Sequence, residues 1–304
     1  MKLSTFFLAE QSAFLRRRNR EWKHHLRKVQ AFIGESLQRA PRDRPVLILG
    51  AGSGLEVPWN LAPPDTTGWD LDPTSRVRTL LRWGRWPAWV FQDLTGSLEA
   101  LRTLARRSVR QAWSGRTRDR GLAARRLAGL MPSLQAKPVR LQQWLEAHRP
   151  SLVVSANWMG QLGSVAQRMM EQEFGTQSPW EEDPELRDPL AEALECWTRQ
   201  TLQTHLQVLR ESGAELCLIY DRAVIQGSSP IQLGPFEHAW TRQLQAASPL
   251  DLIDPLPGLE PGDHLPDPIS WERWLWTISP EQRHLVEALA WRSRIHTDSL
   301  GGMK

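Results

Sequence analysis

Val46-Leu47-Ile48-Leu49-Gly50-Ala51-Gly52-Ser53-Gly54-Leu55-Glu56 is the stretch on which the reading of this chain turns. Four apolar residues in a row suit a strand covered on both faces, as in a parallel sheet. The glycines that follow at Gly50, Gly52 and Gly54 permit positive φ and let a ligand approach the main chain. Their spacing also separates ligand classes. A dinucleotide fingerprint needs G-x-G-x-x-G, whose third glycine allows helix and strand to pack closely around a pyrophosphate. Here the glycines run G-x-G-x-G, and Leu55 stands where that third glycine belongs. Pyrophosphate binding is therefore the weaker reading.

Two acidic landmarks follow, at spacings suited to successive βα units: Trp69-Asp70-Leu71-Asp72-Pro73 after Gly68, and Trp89-Val90-Phe91-Gln92-Asp93-Leu94. Taken in order, the three segments resemble motif I and the next two strands of the class I S-adenosylmethionine-dependent methyltransferases. The resemblance implies S-adenosyl-L-methionine as cofactor, held by Gly50, Gly52, Gly54 and Glu56 in the loop. It gives Asp70 the ribose hydroxyls, with Asp72 in reserve, and Asp93 with Leu94 the adenine edge. Leu152-Val153-Val154-Ser155-Ala156-Asn157 is similar to strand four of that family and Glu215 to Asp221 to strand five. Trp271 to Ile278 and His284 to Trp291 supply its closing antiparallel hairpin. The resemblance covers about residues 41–295. The fold expected from it is α/β, a Rossmann-like, mostly parallel seven-stranded sheet with helices on both faces.

Two additions to that plan are expected. Residues 1–40 read as an N-terminal helical extension, with Phe14, Leu15, Trp22, Leu26, Val29 and Ile33 at helical spacing. Its other face carries Arg16, Arg17, Arg18, Arg20, Lys23, Arg27 and Lys28, a solvated face over the first strand, with a lid or nucleic-acid contact as the rival reading. His24 and His25 fall on that basic helix and are expected in solvent. Within the main domain at 41–304, far more residues separate Asp93 from strand four than one crossover needs. A helical insertion is expected before strand four, at about 97–148. Leu98, Leu101, Ala105, Val109, Ala112 and Trp113 share one helical face, and a second helix is expected over Leu122 to Leu130.

The insertion is basic. From Arg102 to Arg140 there are eleven Arg or Lys against one acid, Asp119, whereas Glu171 to Glu195 holds nine carboxylates against Arg187. An RNA or other polyanion is one partner for such a surface. The acidic segment of the same chain is the other, and the modest net charge of +4 favours it. No apolar run approaches the ~20 residues of a membrane span. Cys196 and Cys217 give neither a disulfide framework nor a metal spacing, which points to a reducing, cytoplasmic setting.

Methyl transfer from a sulfonium is a direct displacement governed by alignment and exclusion of water, with no obligatory base. The acceptor is expected at the C-terminal rim of the sheet, where Ser155, Asn157, Trp158 and Gln161 lie. Asn157 is the catalytic candidate, orienting an amine or hydroxyl with its amide, against the alternative of a turn or cap residue. The segment reads Asn157-Trp158-Met159-Gly160, without the N/D-P-P-Y/F sequence common in that family's enzymes acting on base amines or glutamine amides, which argues against those substrates. Asp221 with Arg222 is a strand-end pair within reach of the same cleft. His238 and His264 are weak candidates for a base, and Trp83, Trp86, Trp89, Trp271, Trp274 and Trp276 suggest packing more than an aromatic cage. The function expected is methyl transfer to an unidentified acceptor, a small molecule or protein ahead of RNA. A catalytically silent S-adenosylmethionine-binding or regulatory protein and an NAD(P)-dependent oxidoreductase are the rivals.

Overall fold

A computed structural model of the chain describes Phe6 and residues 22–52, 54–114, 117–118, 120–174, 184–227, 252–265, 267–279 and 281–292. The basic run Arg16 to Arg20 and His238 lie outside these residues. The order of elements is α1 (Trp22–Arg39), β1 (Val46–Leu49), β2 (Thr66–Trp69), α2 (Ser75–Trp83), β3 (Ala88–Val90) and α3 (Leu98–Gln111). A small ribbon of β4 (Trp113–Ser114) and β5 (Thr117–Arg118) comes next, then α4 (Arg120–Leu130), α5 (Val139–His148), β6 (Leu152–Ala156) and α6 (Leu162–Phe174). The chain continues with α7 (Pro184–Glu211), β7 (Glu215–Gln226), β8 (Leu252–Ile253), α8 (Pro261–His264), β9 (Ser270–Ser279) and β10 (Gln282–Trp291).

The architecture is α/β, with a mostly parallel mixed sheet in the order β3-β2-β1-β6-β7-β10-β9. The first five strands of that order are parallel, and β10 runs antiparallel to both β7 and β9. The two-residue β8 adds an antiparallel partner to the end of β7, one strand beyond the seven expected. The chain leaves β1 toward β2 and β3 and then crosses back to β6 on the other side. That reversal opens a crevice between β1 and β6 at their carboxyl ends.

Both faces of the sheet are covered, which is why its central strands read as unbroken apolar runs. Leu47 and Leu49 of β1, Val153 of β6 and Leu216 and Leu218 of β7 pack into the core formed with α3, α4, α5, α6 and α7. Their neighbours Val46, Ile48, Val154, Cys217 and Ile219 point the other way and meet α1. The helix expected as an extension is thus a layer of this core, burying Trp22, Val29, Phe32, Ile33 and Leu37. His25 is buried with them, against the expectation of a solvent-facing residue, while His24 is exposed.

The insertion forms α3, α4 and α5. Leu98, Leu101, Ala105, Val109 and Ala112 are buried as their spacing predicts. Its charge is partly matched within the chain. Arg102, 1% exposed, and Arg106 each donate to Glu173 of α6 at 2.8 Å. Other basic residues of the insertion, including Arg107, Arg110, Arg125 and Arg126, face solvent. Among the described residues no helix is long and apolar enough to cross a membrane.

Candidate active site

The crevice at the strand ends is a half-open cleft of about 160 Å³. Gly50, Ala51 and Gly52 enter it from the end of β1, Asp70 and Leu71 from β2, Gln92, Asp93 and Leu94 from β3, and Asn157 and Trp158 from β6. The segments singled out in the sequence, more than a hundred residues apart at their extremes, therefore converge on one site.

The glycine loop is shaped by close approach. Gly50, Gly52 and Gly54 have φ of 67°, 52° and 69°, a region costly for other residues. A Cβ on Gly50 would stand 2.6 Å from the Ala156 carbonyl oxygen, so only glycine lets the β1 and β6 loops meet. Gly54 does not line the cleft. A Cβ there would stand 2.8 Å from Thr79 Oγ1, and its carbonyl accepts a hydrogen bond from Trp83 Nε1, so this glycine seats α2. The loop does not run into a helix: no helix or strand lies between Leu49 and Thr66 among the described residues.

Asp70 braces the loop from below. Its Oδ2 accepts the Gly52 N–H and its Oδ1 the Asp72 N–H, both at 2.8 Å. Removal from bulk water pushes its carboxyl up to about 6, against the pull of those two bonds. Asp72 does not share the site. It is fully buried and braces the turn into α2, accepting from Thr74 N, Thr74 Oγ1 and the Arg78 guanidinium. Asp93 accepts from Thr95 N, Thr95 Oγ1 and Leu98 N, closing the turn into α3. Burial raises its pKa despite those bonds.

On the facing lip Asn157 holds a left-handed φ of 56°, which Asn tolerates better than most residues. Its Nδ2 donates to Glu56 Oε1 at 2.6 Å. A carboxylate only accepts, so this bond fixes which end of the amide is which. Among the described residues the Oδ1 has no hydrogen-bond partner, although Asn157 is only 4% exposed. Behind Glu56 lies His25, whose Nδ1 accepts from Trp274 Nε1 at 3.1 Å. The proton of the neutral ring is thereby placed on Nε2, 3.4 Å from Glu56 Oε1. A chain of contacts from the sheet hairpin through α1 thus holds the Asn157 amide.

Trp158 and Gln161 line the cleft, but Ser155 does not. Ser155 is fully buried beneath the cleft, its Oγ 3.3 Å from Nε2 of the buried His205, whose ring the Trp158 indole meets edge-on at 4.5 Å. Burial lowers the His205 pKa to about 3 and keeps that ring neutral. Leu162, Val165 and Arg168 of α6 complete the wall. They were not singled out in the sequence, although Gln161, Val165 and Arg168 fall at the i, i+4, i+7 spacing of one helical face.

The tryptophans mostly pack. Trp89 stacks near Trp59 and Phe91, and Trp86 carries Arg76 over its ring at 4.1 Å. Trp274 and Trp276 are buried beside α1. Among the described residues no group of three or more His, Cys, Asp or Glu is arranged to hold a metal ion. No protein-family model matches the chain, and no curated protein matches it.

Proposed function

We propose that this chain is an S-adenosylmethionine-dependent methyltransferase with a Rossmann-like fold. The observation that carries the reading is the convergence of the glycine loop, Asp70, Asp93 and Asn157 on one cleft at the switch point of the sheet. The cleft fits the cofactor. Gly50 and Gly52 leave the main chain open to close approach, Asp70 offers carboxylate oxygens for ribose hydroxyls, and Asp93 and Leu94 flank the place of the base. S-adenosylmethionine supplies an electrophilic methyl group on its sulfonium. The protein supplies position: Asn157 Oδ1 accepts an N–H or O–H of the acceptor, while Glu56 and His25 keep that amide from rotating.

Charge separates this reading from a nicotinamide oxidoreductase. Glu56, Asp70 and Asp93 line the cleft against Arg168, a balance that favours a cationic ligand and repels a diphosphate. Among the described residues the glycine loop also meets no helix N-terminus on which a pyrophosphate would rest. The deciding experiment is calorimetric titration with S-adenosylmethionine and S-adenosylhomocysteine beside NAD and NADP. Binding of the sulfur pair alone, weakened by Asp70→Asn, is expected; binding of neither to folded protein sinks the proposal.

A further inference from the structure

Beside the cleft is a second cavity of about 430 Å³, with Gln161 and Arg168 lining both. A β-bulge builds it. Along the β7–β10 ladder Asp221 pairs with Val286 and Ala223 with Leu285, so Arg222 is the extra residue. An inserted residue reverses which face the following side chains take. Asp221 therefore shares a face with Val224 and Gln226, and all three line the cavity. Trp276, Ile278 and His284 of the hairpin close its side.

Asp221 is the feature that needs a partner. It is 1% exposed, and among the described residues neither of its carboxylate oxygens is hydrogen-bonded. Oδ2 faces His284 Nδ1 at 3.0 Å but out of hydrogen-bond alignment, while His284 Nε2 lies 2.9 Å from Gln282 Nε2. Gln282 Nε2 only donates, so His284 Nε2 accepts and Nδ1 is the donor atom facing Oδ2, while Oδ1 has no such neighbour among the described residues. A buried carboxylate oxygen without a donor is costly, and here the fold holds it in place. A Cβ on Gly160 would stand 2.6 Å from Asp221 N and 2.7 Å from its Cβ, so the loop after β6 lies directly on this residue. Among the described lining residues the carboxylates of Glu195, Asp221 and Asp254 outnumber the one guanidinium, Arg168, although Asp254 is also bound by Arg222.

We propose that this cavity binds a small amine with an apolar body, its N–H groups turned to Asp221 and its body against Trp276 and Ile278. An ammonium supplies a donor to Oδ1 and a positive charge against the excess of carboxylates; an alcohol supplies one donor and no charge, and an acid is repelled. The amine site does not rest on the methyl-transfer reading: Asp221 lines this second cavity, whereas Asn157 lines the cleft.

The test is calorimetry on the full chain with 2-phenylethylamine, 2-phenylethanol and 3-phenylpropionate as probes, with and without S-adenosylhomocysteine. The amine is expected to bind saturably and roughly tenfold or more tighter than the other two. Asp221→Asn is expected to remove roughly tenfold of the amine affinity while S-adenosylhomocysteine binding stays unchanged. Absence of saturable amine binding, equal binding of the alcohol, or an Asp221→Asn variant that binds the amine normally overturns the proposal. The comparison among probes on the unaltered chain decides the matter even when the variant does not fold. Sulfur-ligand binding without amine binding sinks this inference alone. Amine binding without sulfur-ligand binding keeps the cavity site and sinks methyl transfer.

Discussion

Asp70 joins sequence to site through one carboxylate that orders the glycine loop and faces the cleft. Its pKa is raised to about 6 in the folded protein from an ordinary 3.8. The native state therefore holds this proton more tightly between those values, and stability falls as pH rises from about 4 to about 6. Thermal unfolding across that range should show the slope in the wild type and its loss in Asp70→Asn. Cofactor affinity should run the other way, weakening as pH falls through about 6, because the ionised group is the better acceptor for ribose hydroxyls. Asn157 gives a sharper separation of roles. Asn157→Ala should lower turnover roughly a hundredfold while S-adenosylhomocysteine affinity changes little, since the amide is assigned to the acceptor. Equal losses in both would make it a structural residue of the β6 turn.

Between elements, the contacts that matter are close and irregular. Gly54→Ala places a methyl against Thr79 at a φ of 69°. Denaturant unfolding should show a loss of about 1–3 kcal/mol, with α2 displaced from the loop. The clamp of α3 on α6 is electrostatic. Burial pushes the Glu173 carboxyl up, and hydrogen bonds from Arg106 and Arg102 overcome it, leaving the pKa below the ordinary value. Such a group stabilises the fold above its unfolded pKa, and that contribution is lost as pH falls through the lower folded pKa. Glu173→Gln should cost about 2 kcal/mol at neutral pH, below the roughly 3–5 of a fully buried pair, because Glu173 keeps some solvent. The difference from wild type should shrink in acid.

Across the whole molecule, α1 is a wall of the protein. It buries Trp22, Val29, Phe32, Ile33 and Leu37, each stabilising by roughly 1.5–3 kcal/mol. Their sum is of the order of the whole stability of a domain, about 5–15 kcal/mol. Deletion of residues 1–40 should yield aggregated protein or one without a cooperative thermal transition; a folded, ligand-binding remainder would return α1 to the status of an appendage.

The sequence by itself determined the central strands, their parallel character and the carboxyl-end positions of Gly50, Asp70, Asp93 and Asn157. Those features are local: an apolar run, a glycine where φ is positive, an acid at a strand end. Only the tertiary structure decided which acid faces the cleft, since Asp70 and Asp72 are two residues apart and differ in what folds over them. It also moved Ser155 and Gly54 out of the site and brought His25 behind Glu56. The second cavity depends on the bulge at Arg222, a register shift against β10 that leaves no mark on the apolar pattern of β7. Pairing between distant strands sets it, and no stretch of the chain read alone contains that information.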